Sequence, residues 1–181
     1  MKVVTFGGNF CYFPMMGYDL VYVDDDYVQC KEKVVHPNIV HLNSGFTGDD
    51  DISRRYRIAF MLREIFARAD DHILLVDSDV YIPPVKPVAP ASFCIPARAK
   101  PGNDIIMFCM STNIYVPISF AKFVNKVMDD YIKQEIYKSY YVDIYLHFRL
   151  LSTIRTVPGT CHWILGVKYC INDQYKIVQT F

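Results

Sequence analysis

Two aspartates one residue apart, Asp77 and Asp79, close the apolar run Ile73–Val76 and stand shortly before Pro83 and Pro84. Side chains two apart on an extended segment point the same way, so both carboxylates can face one ligand. Left uncompensated, such a pair repels itself and is costly to desolvate. A divalent cation removes that conflict. Hard oxygen donors suit Mg²⁺ or Mn²⁺, and Mg²⁺ commonly takes one or two carboxylates and completes its octahedron with water and phosphate oxygens. The pair therefore has the chemistry of half a metal–diphosphate site. Acids at strand ends are also ordinary solvated turn residues, and a pattern this short is a weak warrant without its context.

That context comes from two more strand ends and one helix. Lys2–Phe6 is a β-branched run closed by Gly7-Gly8, and Tyr18–Val23 is a strand ended by Asp24, Asp25 and Asp26. A shorter strand is expected within Val34–Leu42. Residues 52–69 place Ile52, Tyr56, Ala59, Leu62, Phe66 and Ala69 at three- and four-residue steps, an amphipathic helix with acids Asp49–Asp51 near its positive end. Arg54, Arg55 and Arg57 sit in its first turns, where positive charge opposes the helix dipole. Arg54 and Arg55 read as a local ion-pair cluster, and Arg57 as the candidate for reaching a phosphate. Beyond the Asp77/Asp79 strand, Ser92–Pro96 and Ile105–Val116 are strand candidates, the second divided near Ser111. A helix from Ser119 to about Lys138 buries Phe123, Val127 and Tyr131, and a short one covers Tyr141–Leu151.

Strand and helix alternate through the first half, as in a mainly parallel sheet flanked by helices, where ligands bind outside the carboxyl ends of the strands. Gly7-Gly8, Asp24–Asp26 and Asp77–Asp79 then converge on one edge. The expected class is α/β, one compact domain over 1–181, with a nucleotide-binding part of about 1–84 and an acceptor-side part of about 85–181.

Bulk properties narrow the partners. The 181 residues carry 19 basic and 19 acidic side chains, so no basic excess exists to neutralise a nucleic acid. The apolar runs are short, so no transmembrane helix is expected, and the N-terminus reads as a strand and not as a secretory leader. Cys11, Cys30, Cys94, Cys109, Cys161 and Cys170 form no CxxC pair, which argues against zinc. Buried free thiols are the default, although intracellular proteins of hyperthermophiles can carry disulfides.

Taken in order, these stretches resemble the GT-A nucleotide-sugar glycosyltransferases, above all the inverting family 2 type. YDLVYVDDD is similar to that family's second strand, whose paired aspartates include one that contacts the base. ILLVDSDV is similar to its DxD motif, and STNIYVP (Ser111–Pro117) to its acceptor-side strand. VDIYLHFRLL (Val142–Leu151) resembles its EDxxLxxR helix, with Asp143, Leu146 and Arg149 at matching steps. TVPGTCH (Thr156–His162) resembles the late strand whose His completes the metal shell.

The resemblance spans about residues 2–168 and implies a GT-A fold, Mn²⁺ or Mg²⁺, a UDP- or GDP-sugar donor and a glycan, protein or lipid acceptor. It implies Asp143 as the general base, and Asp77, Asp79 and His162 around the metal. Thr5, Gly7, Asp24, Asp25, Arg57, Asp77 and Asn113 would contact the nucleotide-sugar. Departures are Val142 where the family has an acid, Asp26 where it has Gly, and a short chain. His162…Gly166…Lys168 resembles an element of some retaining enzymes, which leaves inversion resting on the family alone. Chain length and the abundance of Tyr and Ile also resemble small glycosyltransferases of viruses of hyperthermophilic archaea, for which the host cytoplasm and a homo-oligomer are open expectations. The competing readings are a non-catalytic GT-A-like binding module and a haloacid-dehalogenase-type phosphatase. The phosphatase needs a later strand-end acid pair, whereas Asp129-Asp130 falls inside a helix.

Overall fold

A computed structural model describes residues 1–7, 17–27, 35–76, 78, 97–100, 103–108, 114–153, 160–164, 167–171 and 177–180; for 97–108, 115, 147–148 and 150 onward it describes the backbone alone. The first sheet holds β1 (Lys2–Phe6), β2 (Leu20–Asp24), β3 (Ile39–Leu42), β4 (Ile73–Leu75) and β7 (Ile114–Val116) in the order β3-β2-β1-β4-β7. The first four are mutually parallel and β7 runs antiparallel to β4. Val3, Val4 and Thr5 of β1 and all of β4 are buried, as a parallel sheet covered on both faces requires. The sheet thus matches the expected α/β architecture, mainly parallel with one antiparallel strand.

The chain builds β1, β2 and β3 outward in one direction and then returns to lay β4 on the other side of β1. This reversal of strand order between β1 and β4 is a topological switch point, and the crevice outside the carboxyl ends of strands at such a point is where α/β sheets bind ligands.

Helix α1 (Asp51–Ala67) starts at Asp50, whose carboxylate accepts from the backbone N–H groups of Ile52 and Ser53 and from the Ser53 hydroxyl. The Ser53 hydroxyl bond, joined by its backbone N–H, holds the Asp50 carboxyl below the usual range. Its buried face is wider than a simple stripe, running through Ala59, Phe60, Met61, Leu62, Ile65 and Phe66, because α1 lies against both the sheet and α2. Helix α2 (Ile118–Lys133) buries Ala121, Val124, Val127, Met128 and Tyr131, while Phe123 is only half-buried. It stops short of the expected Lys138: Glu135 adopts a left-handed φ of 54°, and a 3-10 turn at Ile136–Lys138 folds Tyr137 inward. Helix α3 (Val142–Thr153) follows, seated in the core by Val142 and Leu146, one turn apart.

The second sheet holds β5 (Ala97–Lys100), β6 (Asn103–Phe108), β8 (Thr160–Ile164), β9 (Val167–Ile171) and β10 (Ile177–Thr180) in the order β6-β5-β10-β9-β8. The apolar run Ile105–Val116 is therefore two strands of different sheets, β6 and β7. The strand expected at Ser92–Pro96 lies outside the described residues, and β5 begins just after it. Among the described residues no helix is long and apolar enough to cross a membrane.

Candidate functional site

The carboxyl ends of β1 and β2 and the first turns of α1 enclose a cleft of about 150 Å³. Phe6 and Gly7 supply one wall, Val23, Asp24 and Tyr27 a second, and Arg54 and Arg57 a third, with Ile58 and Met61 as the apolar floor. Three residues expected to contact a nucleotide, Gly7, Asp24 and Arg57, are thus brought together. Gly7 has φ +69°, a conformation that L side chains seldom adopt, and among the described residues nothing lies within 4 Å of where a Cβ would stand. A ligand can therefore approach the backbone there. The apolar floor with a few polar groups on the walls is the usual makeup of a small-molecule site.

The three consecutive aspartates do not repel one another into solvent, because each has its own donor across the sheet edge. Asp24, 6% exposed, accepts from Ser44 N (3.1 Å) and Asp26 N (3.2 Å) on Oδ1 and from the Ser44 hydroxyl (2.6 Å) on Oδ2. A carboxylate has about four acceptor positions, so the described residues leave one unfilled. Asp25 pairs with His41 Nδ1 at 2.7 Å. Asp26 takes the Gly45 N–H (2.7 Å) and the Asn43 amide (3.3 Å). The acidic cluster therefore clasps the loop that leaves β3. Sequence reading assigned His41 no role, yet β2 and β3 are parallel with Val23 beside His41, which sets this ring next to the acids.

Arg57 braces the other end of that loop. It is 6% exposed, its Nη1 donates to the Phe46 and Gly48 carbonyls, and its guanidinium lies 3.8 Å from the Tyr27 ring centroid. The Tyr27 hydroxyl in turn donates to Asp49 at 2.5 Å. Arg57 lines the cleft, but its fork is largely committed to holding the loop. Arg54 is the reverse: exposed, lining the same cleft, and without an ion pair among the described residues. The expectation of an ion-pair cluster holds for Arg55, 3.8 Å from Asp51, and fails for Arg54, because the helix turns its side chain toward the cleft and away from Asp51.

Thr5 is fully buried, and its hydroxyl donates to Val76 O at 2.8 Å. It fastens β1 to the segment that leaves β4 and turns no side-chain atom to solvent. Asp77, Asp79 and Asn113 lie outside the described residues; β4 delivers the chain to residue 76 at the same sheet edge as Gly7 and Asp24. His162 is described by its backbone alone, in β8 opposite Tyr169. Among the described residues no group of three potential metal ligands gathers. Carboxylates one residue apart, as Asp77 and Asp79 are in sequence, are oxygen donors of the kind that suits Mg²⁺ or Mn²⁺.

Asp143 stands in the first turn of α3, half-buried, with its Oδ1 shielded from solvent. Burial raises the proton affinity of the Tyr131 phenol, Arg55 acts on it in the opposite sense, and Asp143 adds a smaller upward push. Arg55 sits under the Tyr141 ring, 3.9 Å from its centroid, and donates to Tyr137 O at 3.4 Å. The residue before Asp143, Val142, is 2% exposed in the core, so an acid at that position would be buried without a partner.

The chain is 31% identical over 175 residues to the uncharacterized protein ORF208 of Acidianus filamentous virus 2, covering 91% of this chain and 81% of that protein. ORF238 of the same virus, also uncharacterized, is 35% identical over 128 residues, 66% of this chain and 54% of its own length. Uncharacterized protein 209 of Sulfolobus islandicus rod-shaped virus 1 is 27% identical over 172 residues, 91% and 81% of the two chains. No family model and no solved structure matches.

Proposed function

The chain belongs to the archaeal-virus protein family represented by ORF208 of Acidianus filamentous virus 2, and we propose that its function is metal-dependent transfer of a sugar from a nucleoside-diphosphate sugar to an acceptor hydroxyl. The observation that carries this reading is the cleft at the carboxyl ends of β1 and β2, where Gly7, Asp24 and Arg57 meet. It sits beside the strand that leads into Asp77-Ser78-Asp79, on a sheet whose strand order reverses between β1 and β4. In this reading the fold is GT-A, and the chain works on a UDP- or GDP-sugar in the host cytoplasm.

Asp24 uses its remaining acceptor position for an N–H of the base. Gly7 lets the ribose and diphosphate approach the backbone, and Arg54 offers its unpaired charge to the phosphates. Asp77 and Asp79, with His162, would hold Mg²⁺ or Mn²⁺, which when bound supplies positive charge to the departing diphosphate. Asp143 takes the acceptor hydroxyl proton. The acceptor oxygen forms its bond to the anomeric carbon as the bond from that carbon to the diphosphate breaks, and the nucleoside diphosphate leaves.

The test is nucleoside-diphosphate release from UDP- and GDP-sugars with Mn²⁺. Asp143→Asn should lower transfer by about 10²–10⁴-fold with donor affinity kept, and Asp79→Ala should abolish metal-dependent turnover. Full metal-dependent release by Asp77→Ala and Asp79→Ala would refute the site. Donor binding that is EDTA-sensitive but never followed by release would assign a binding module instead.

A further inference from the structure

We propose that the aromatic ledge at the entry to α3, built on Tyr140 and Tyr141 and continued by Ile144, is a saccharide-binding subsite. As the acceptor site it rests on the glycosyltransferase reading; as a binding site it does not. Of the aromatic residues whose side chains are described these two are the exposed ones, Tyr140 at 59% and Tyr141 at 49%, and Ile144 on the next turn is 47% exposed. Every other ring with a described side chain is at least half sequestered, and Phe46, Tyr56, Tyr137, Tyr131 and Tyr145 pack into one cluster.

The ledge is held rigid from below. The Arg55 guanidinium covers one face of Tyr141 at 3.9 Å, and the Tyr141 hydroxyl donates to Asp51 Oδ2 at 3.2 Å. The Tyr131 hydroxyl donates to the Tyr140 carbonyl, and Tyr145 N donates to the Tyr141 carbonyl at 3.1 Å. The exposure that Tyr141 keeps therefore belongs to its opposite face. A ring fixed at one face, one edge and its backbone loses little entropy when a ligand lies on it.

The polar groups around the ledge select the occupant. Asp51, with its side chain 61% exposed, stands at the Tyr141 hydroxyl, and the half-buried Asp143 follows Tyr141 by two residues in the first turn of α3. A purely apolar partner would desolvate these carboxylates without replacing their hydrogen bonds, and an anionic one would be repelled. A sugar ring satisfies both features. Its C–H face lies on the aromatic surface and its hydroxyls donate to the carboxylates, which also sets one hydroxyl near Asp143.

Amide chemical-shift mapping of the full chain tests this, with glucose, mannose, galactose and N-acetylglucosamine oligosaccharides as probes. The expected result is saturable shifts at Tyr140, Tyr141 and Ile144 with at least one probe, weakened at least about tenfold in Tyr141→Ser and retained in Tyr141→Phe. No shift at the ledge with any probe overturns the proposal, and so does equal binding by Tyr141→Ser. A concentration-dependent dimer dissolved by Tyr140→Ser/Tyr141→Ser, with no saccharide shifts in the wild type, would give the ledge to a second copy. Saccharide binding without nucleoside-diphosphate release from any donor would sink the transferase reading and leave the ledge standing. Turnover whose acceptor KM is unmoved by Tyr141→Ser would do the opposite.

Discussion

Ser44→Ala tests the clasp that shapes the cleft. Ser44 is 8% exposed, and its hydroxyl donates to Asp24 Oδ2 at 2.6 Å, a short bond to a carboxylate that is itself 6% exposed. Ser44 Oγ also accepts from Phe46 N at 3.2 Å. Alanine removes one oxygen, which leaves too small a void for a cavity penalty to matter, so the cost is polar. A hydrogen bond to a charged group is worth about 1.5–3 kcal/mol, and removing it from a buried carboxylate leaves part of that charge unsatisfied. The two N–H groups on Oδ1 remain, which keeps the estimate near ~2 kcal/mol.

For a chain of this size, about 2–4 °C of Tm accompanies each kcal/mol, so the melting point should fall by about 4–8 °C. Urea unfolding followed by circular dichroism should show a lower midpoint with an unchanged m value, because the surface exposed on unfolding is the same. Asp26→Asn serves as the control. Its amide oxygen can still accept from Gly45 N and the site is open to water, so its effect should stay within ~0.5 kcal/mol. A Ser44→Ala change below ~0.5 kcal/mol would refute the claim that the acidic cluster holds this loop.

The two cleft arginines should separate cleanly. Arg57→Met should cost about 2–4 kcal/mol, since it orphans two loop carbonyls in a buried setting, whereas Arg54→Met should leave Tm nearly unchanged and weaken nucleoside-diphosphate binding measured by calorimetry. The reverse pattern would overturn their assignment. Gly7→Ala should meet no steric clash but lose about 1–2 kcal/mol to its left-handed backbone, and its Cβ should also reduce diphosphate affinity; unchanged melting would show that φ is not constrained. Burial raises the Tyr131 phenol above its ordinary value of 10.0. The folded protein then keeps a proton that the unfolded chain loses, so this contribution is intact below pH 10 and drains away as pH rises further. Tyr131→Phe should flatten the alkaline limb of a Tm–pH curve, with the likewise raised Tyr22 accounting for residual slope; an unaltered limb would contradict this.

The elements around the cleft were legible because they combine strong local signals. β1 and β2 are β-branched runs with turn residues after them, and α1 carries a helical period and an acidic cap. The mainly parallel sheet followed from strand–helix alternation, whereas the order of its strands came only from the structure. The division of Ile105–Val116 between two sheets was not legible, because a buried apolar run looks the same whichever sheet receives it. The early end of α2 was also hidden, since nothing in Glu135 announces a left-handed residue. Ile52, placed on the apolar face by its spacing, is 42% exposed, because the first turn of α1 projects past the core.

By itself the sequence determined which residue types stand at the strand ends: glycine after β1, acids after β2, an aspartate pair after β4. Backbone propensity and hydrophobic period decide those positions locally. Only the tertiary structure decided what each group is free to do. Asp24, Asp25 and Asp26 look equivalent along the chain, and so do Arg54 and Arg57, yet Asp24, Asp26 and Arg57 bond to the loop after β3 and Asp25 to His41 within β3, 16 to 20 residues from the acids. Partner choice across that distance depends on strand register and helix rotation, which are set by packing of the whole sheet. It is this that commits Arg57 to the loop, leaves Arg54 to the cleft, and leaves one acceptor position of Asp24 unfilled by the described residues.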